Sequence, residues 1–420
     1  MRNSLPLAIA LACCAVALGQ DAQPDELKFA VVVSRHGVRS PTWMVERLNE
    51  YSASPWPDWG VAPGELTAHG RTLMTIMGGF YRDYFASKGL LGTSGCAAAS
   101  HLYFWADTDH RTLATAQALA ESILPGCKAE IHSAGEGRHD PLFDGAGAAK
   151  GDPALARAAV AGRFGPQPDA VTDAHRPALD LLAHVLNGSG KAAHSIFEEP
   201  MSLAAGRSGV SMTGPLSLAS TLSEDFLLEY ANGMSGARLG WGRLDKSSLI
   251  ELMTLHTAYA DLVRRTPYLA RTRGSNLLSC ILRSIEQAQG GKPVAGAAGS
   301  PGTALLVISG HDTNLSNLSG MLGLSWLLPS YQADDTPPGG ALIFTLWRAR
   351  GTGRYSVRLQ FVAQTLDQMQ AATALSPGNP PAIANVFVPG CSTAAEGYPC
   401  PWESFRATVV GAMGAESAGR

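Results

Sequence analysis

Two arginines frame one histidine in the run Arg35-His36-Gly37-Val38-Arg39-Ser40-Pro41-Thr42. Guanidinium forks match the oxygens of a phosphoryl group in a bidentate way that lysine cannot. Imidazole is a competent nucleophile toward phosphorus, so the run reads as a phosphate clamp, Arg35 and Arg39, closed around a reactive ring, His36. Gly37 lets the backbone turn sharply toward the anion, and Pro41 stiffens the exit. An Arg–His pair alone carries little weight, because histidine is frequently just a structural hydrogen-bonding residue. The full pattern, placed after a β-branched run, favours chemistry over a turn with incidental charges.

Two further polar clusters have the same design. Asp107-Thr108-Asp109-His110-Arg111-Thr112 contributes a third guanidinium, Arg111, unless that side chain is only a surface partner of Asp107 or Asp109. His311-Asp312-Thr313-Asn314 pairs a ring that can carry positive charge with a carboxyl group that can deliver a proton. Its bland alternative is a helix cap in which Asp312 satisfies backbone N–H groups. Thr42 is a candidate phosphate ligand. The other histidines, His256 among them, show no H-E-x-x-H or paired metal spacing, so no metal and no cofactor is expected.

Each cluster ends an apolar run: residues 27–34 (LKFAVVVS), 101–106 (HLYFWA) and 304–310 (ALLVISG). Runs of this length suit strands buried on both faces of a parallel sheet, and polar residues just past strand ends are where open α/β sheets bind ligands. Leu73, Ile76, Met77, Phe80 and Tyr84 recur at helical spacing after a capping Thr67, and the Ala-rich stretch after Arg111 runs as a helix to Pro125-Gly126. Residues 341–347 and 355–363 read as an antiparallel hairpin on the sheet edge. Between 146 and 285 the apolar stripes are helical and no strong strand is seen. The expected fold is α/β: a mostly parallel central sheet flanked by helices, residues 24–145 and 286–420, with a smaller all-α domain, 146–285, inserted.

Charged residues make up 16% and the net charge is −3, which argues against disorder and against a basic nucleic-acid surface. Met1-Arg2, an apolar run from Leu5 to Leu18, and small residues at Ala17 and Gly19 read as a signal peptide, 1–19. Cys13 and Cys14 raise a lipoprotein alternative, which the residues before them fit poorly. The expectation is therefore a periplasmic or secreted protein with no membrane contact after the leader is removed. Five cysteines then remain. Cys391 and Cys400 bracket a short turn-rich segment, and Cys96 and Cys127 bracket one strand and one helix, so these are the expected disulfides. Cys280 lies in an apolar helical stripe, where a buried, unpaired thiol is expected.

Together, RHGVRSPT at 35–42, SGHDTNLSNL at 309–318, the D-x-D-x-R-T segment at 107–112 and TPPGG at 336–340 make the chain resemble the histidine acid phosphatases, the branch with bacterial phytases and acid phosphatases. The likeness runs from about residue 27 to Cys400. It implies that His36 attacks phosphorus, that Arg35, Arg39, Arg111 and His311 bind the phosphate, and that Asp312 protonates the leaving oxygen. It further implies a small phosphorylated substrate, and a monomer is expected. Phytate is the favoured substrate. However, Trp43 stands where phytate-preferring relatives often carry a basic residue, which keeps a broad monoesterase or a glucose-1-phosphatase-like enzyme open. A non-catalytic phosphate binder could dispense with His36 and Asp312, and both are present. If His311 works charged and Asp312 protonated, a rate-against-pH profile should be highest below about 6.5 and fall as pH rises; a maximum above about 8 would defeat that protonation scheme.

Overall fold

The computed structural model describes residues 25–92, 96–135, 137–144, 151–165, 167, 169–206 and 209–414. The leader expected at 1–19, with Cys13 and Cys14, lies outside them. The chain opens with β1 (Glu26–Arg35), a short α1 (Val45–Glu50) and the long α2 (Ala68–Ser87), then β2 (Leu102–Ala106), α3 (His110–Ile123) and β3 (Ile131–His132). The middle carries α4 (Pro153–Phe164), α5 (Asp169–Ala174), α6 (Arg176–Asn187), β4 (Ser202–Gly206), β5 (Gly209–Thr213), α7 (Pro215–Ala231), α8 (Lys246–Val263) and α9 (Pro267–Gly290). It closes with β6 (Leu305–Gly310), α10 (Asp312–Leu322), β7 (Ala341–Arg348), β8 (Tyr355–Ala363), α11 (Leu366–Gln370), β9 (Ala382–Val386), β10 (Cys400–Pro401) and α12 (Trp402–Met413).

Eight strands form one sheet in the order β10-β8-β7-β1-β6-β2-β3, with β9 also on β8. The half formed by β1, β6, β2 and β3 is parallel, and its three apolar runs are the ones expected. The β7–β8 hairpin forms as expected, yet it does not sit on the edge: β7 pairs with β1, while β9 and β10 flank β8. Residues of β7 point into apolar layers on both faces, which is why its sequence is almost continuously hydrophobic.

The middle is helical except for the β4–β5 hairpin, a departure from the all-helical expectation. Its buried alternation is only Val210 and Met212, too short to stand out beside the helical stripes around it. One apolar cluster runs from Phe29, Val31 and Val33 of β1 through Leu277 and Ile281 of α9 to Leu222 and Phe226 of α7. The sheet and these helices therefore share a core. The Cys96–Cys127 and Cys391–Cys400 disulfides are both present, and Cys280 is a buried free thiol.

Helix α2 starts at the expected cap, where Thr67 accepts a hydrogen bond from Gly70 N at 2.8 Å. Its first turn lies so close to the clamp segment that a methyl group on Gly70 would stand 2.1 Å from the Val38 carbonyl oxygen. On the same helix a methyl group on Gly79 would meet nothing within 4 Å. Gly79→Ala should therefore stabilise the protein by up to about 1 kcal/mol through helix propensity. Gly70→Ala should destabilise it by about 1–3 kcal/mol and lower turnover, because it pushes α2 off the clamp. Denaturant midpoints of the two variants check the opposite signs.

Candidate active site

The parallel register carries the site. Arg35 pairs with Gly310 across β1 and β6, and Ala106 with Ser309 across β2 and β6, so all three clusters leave the sheet at one edge. Backbone bonds then hold them together: His36 N donates to Gly310 O at 2.9 Å and Asp107 N to Ser309 O at 3.0 Å. The TPPGG bend forms the other wall, with Arg35 N donating to Gly340 O and Gly339 N to His36 O, both at 2.9 Å.

His36 is 3% exposed. Its Nδ1 lies 2.8 Å from the Gly37 carbonyl. A carbonyl only accepts, so Nδ1 carries the hydrogen and Nε2 keeps a lone pair. Burial first, then the charges of Arg35, His311, Arg39 and Arg111, holds the ring well below its usual pKa. The neutral, nucleophilic form is thus the resting one.

Arg35 donates through Nη1 to Thr336 O at 2.6 Å and through Nη2 to Glu224. Arg39 reaches the other oxygen of the same carboxylate at 3.0 Å. Burial alone would raise Glu224, but the two arginines outweigh it and bring its pKa to about 2. Arg111, in the first turn of α3, is paired with Asp109 at 2.5 Å. The surface-partner reading of Arg111 is therefore half right: the ion pair exists, but the side chain is 20% exposed and faces the clamp. A methyl group on Gly64 would lie 3.6 Å from Arg111 Nη1 and 3.7 Å from Thr42 Cγ2, which places Thr42 beside Arg111. Arg35 Nε and Arg111 Nε are buried and have no acceptor within the protein. Two unpaired cationic N–H groups beside one imidazole are a receptor for an oxyanion.

His311 stands with its ring 5.6 Å from that of His36, edge on. Its Nε2 meets Asp107 Oδ2 at 2.7 Å. Asp312 opens α10 and accepts from Thr313 N at 2.8 Å. It is also clasped by Arg264 and lies 3.8 Å from His256 Nε2. Burial would raise its proton affinity; Arg264, Arg35 and His256 reverse that and hold the carboxyl well below the usual carboxylate range. In the resting site Asp312 is an anion, which differs from the protonated group the sequence reading requires.

Arg35, His36, Arg39, Arg111, His311 and Asp312 are in this cluster, and Thr42 is exposed at its edge. The reading of the sequence missed Glu224 on α7, and His256 and Arg264 on and just after α8. Nothing local marks them: Glu224 sits beside Asp225 like an acid on a solvated helix face, His256 lies in an apolar helical stripe, and Arg264 is one of two arginines at the end of α8. Two acidic triads, Asp107-Asp109-His311 and Glu224-His256-Asp312, have metal-compatible spacing. Arg111 pairs with the first, and Arg35, Arg39 and Arg264 pair with the second, so a metal ion would have to displace guanidinium groups.

A phosphate clamp around a neutral imidazole, mounted at the carboxyl ends of parallel strands, defines a phosphohydrolase of the histidine type. The chain matches the model of the histidine phosphatase superfamily, branch 2, over residues 26–152 and 207–362. Phytase AppA of Escherichia coli (strain K12) is 35% identical over 390 residues, 89% of each chain. The glucose-1-phosphatase of Providencia rettgeri is 26% identical over 91% of each. Among solved structures, Hafnia alvei phytase superposes with a TM-score of 0.85 at 35% identity, covering 94% of this chain and 98% of that one. Klebsiella sp ASR1 phytase gives 0.83 at 30%, covering 94% and 98%. The chain belongs to branch 2 of the histidine phosphatase superfamily and is a phosphoric monoester hydrolase.

Beneath the clamp, Asp225 and Glu229 lie four residues apart on α7, 2% and 1% exposed. Burial raises Asp225 to about 8, opposed by Arg39 and reinforced by Glu224. Burial also raises Glu229 to about 8, opposed by the Gly240 N–H and reinforced by Asp225. The fold thus keeps two protons that an unfolded chain releases near pH about 4, so stability falls as pH rises from about 4 toward 8. Asp225→Asn with Glu229→Gln should flatten that fall, read as a melting temperature raised by about 2 °C or more at neutral pH while little changed near the acid end.

Proposed function

We propose that the protein hydrolyses phosphate monoesters, phytate foremost, by passing the phosphoryl group through His36. The observation that carries this reading is the orientation of the His36 ring: Nδ1 tied to Gly37 O, Nε2 free, and two unpaired arginine N–H groups beside it. In the first step Nε2 forms a bond to phosphorus while the ester P–O bond breaks, and the leaving oxygen takes a proton from Asp312. In the second, water gives a proton to Asp312 and its oxygen displaces His36, releasing phosphate. Arg35, Arg39, Arg111, His311 and Thr42 hold the phosphoryl oxygens; the guanidinium charges stabilise the transition state.

Relatives 30–35% identical are named phytases, and those 26–27% identical glucose-1-phosphatases. A second reading, a broad monoesterase, is favoured by Trp43. That ring is half-buried, and it borders an apolar recess of about 270 Å³ with Trp56, Trp59 and Val61, next to Ser40 and Pro41 of the clamp run. Two disulfides fit export to an oxidising compartment, periplasmic or extracellular, and among the described residues no helix is long and apolar enough to cross a membrane. The protein acts as a monomer, and segment 146–285 is a mostly helical insert that shares its core with the sheet and covers the clamp.

The test is turnover of phytate, glucose 1-phosphate and para-nitrophenyl phosphate by the purified mature protein. His36→Ala should lower kcat by at least about 10³-fold with the fold intact. Normal turnover in that variant would overturn the phosphohistidine route. Rapid hydrolysis of the simple esters with phytate untouched would favour the broad monoesterase.

A further inference from the structure

An ionised Asp312 cannot protonate a leaving alkoxide, so the resting site is short of one proton. The cause is specific. The carboxylate faces Arg264 and His256 from the α8 segment, Arg35 from β1 and Arg111 from α3; Glu224 from α7 is a like charge beside it, the Asp335 carboxyl meets the same His256, Arg35 and Glu224, and His311 is its chain neighbour. Arg35 and Arg111 are committed to the phosphoryl group, and His256 is 2% exposed. Arg264 differs from all of these. It follows the last turn of α8, its side chain is 17% exposed, and among the described residues Asp312 is the only carboxylate it pairs with. Its guanidinium lies 6.0 Å from the Tyr259 ring.

We propose that Arg264 senses substrate charge: it clasps Asp312 in the resting site, and a second phosphate group on the substrate draws it away, freeing Asp312 to take up the proton it then donates. This rests on the phosphatase reading above and specifies its substrate class as neighbouring phosphates on one scaffold. A phosphate dianion offers a guanidinium fork more charge than one carboxylate and matches its two donors equally well. Loss of an adjacent cation raises a carboxyl pKa by about 1–3 units, and the arriving anion acts in the same direction. A substrate with a single phosphate fills the clamp, leaves Arg264 in place and finds a poor donor. Arg264 is a positioning residue on this account: it acts through Asp312.

The experiment is the pH dependence of kcat, which reports the ionisations of the enzyme–substrate complex, for glucose 1-phosphate and for phytate in wild-type protein, Arg264→Gln and Arg264→Lys. For the simple ester, Arg264→Gln should move the alkaline limb upward by about 1 pH unit or more, because the donor then holds its proton to higher pH. Arg264→Lys should fall between. For phytate the limb should move little while KM rises. An unmoved or lowered limb with the simple ester overturns the proposal, as does an equal upward shift with both substrates. If Arg264→Gln does not fold, wild-type protein with ¹³C-labelled aspartate answers instead. The Asp312 carboxyl should titrate at higher pH with myo-inositol hexasulfate than with inorganic sulfate; equal responses overturn the proposal. Wild-type protein without turnover on any monoester would sink the phosphatase reading itself, whereas an active wild type with an unmoved limb sinks only the role of Arg264.

Discussion

The site depends on keeping one imidazole uncharged inside a ring of cations. Arg35, Arg39, Arg111 and His311 all crowd His36, and such a concentration of positive charge in a low-dielectric interior is tolerable only if counter-charges stand behind it. The fold supplies one for each member. Glu224 bridges Arg35 and Arg39, Asp109 holds Arg111, and Asp107 holds His311. Each carboxylate takes part of its partner's hydrogen-bonding capacity and leaves the remainder directed at the clamp. Because Glu224 comes from α7 and Arg264 follows α8, the electrostatic balance of the motif is completed by helices from the middle of the chain.

Geometry follows from the sheet. The parallel pairing of β1, β6 and β2 sets Arg35, Gly310 and Ala106 at one level, and the residues just beyond them become neighbours although they are far apart in the chain. Main-chain hydrogen bonds then fasten the clamp backbone on both sides, and side-chain bonds linking Thr115 to Gly37 and Glu224 to Arg35 and Arg39 add to them. The TPPGG bend matters for that reason: its carbonyls and N–H groups receive the backbone of Arg35 and His36, and Thr336 O also holds the Arg35 guanidinium.

What the sequence discloses is what is encoded locally. The three buried strands, the cap at Thr67, the β7–β8 hairpin and the clamp itself are each written within one short continuous stretch of chain. The two cysteine pairs also follow from short spans. Less was legible wherever a residue's meaning depends on what packs against it. Glu224 sits in SLASTLSEDFLLEY, where acids look like the solvated face of a helix; in the fold Glu224, Asp225 and Glu229 are all buried. His256 fits its helical stripe as well as any core residue would. The clasp on Asp312 is hidden in the sequence for the same reason, since Arg264 lies 48 positions away in the chain. Trp43 could be read as a stacking surface or as packing. It is half-buried, with the Arg47 guanidinium 3.7 Å over its ring and Tyr51 6.0 Å away.

The nucleophile is aimed by the carbonyl of the very next residue. Many catalytic histidines rely on a carboxylate for this, and a carboxylate is lost with one codon change. Here the aiming group belongs to the polypeptide backbone and survives substitution of any side chain around it. Natural variation can therefore reshape the rim, the recess beside Trp43 and the helical cover while the direction of attack is inherited unchanged, which is the kind of architecture from which enzymes with different preferences can diverge.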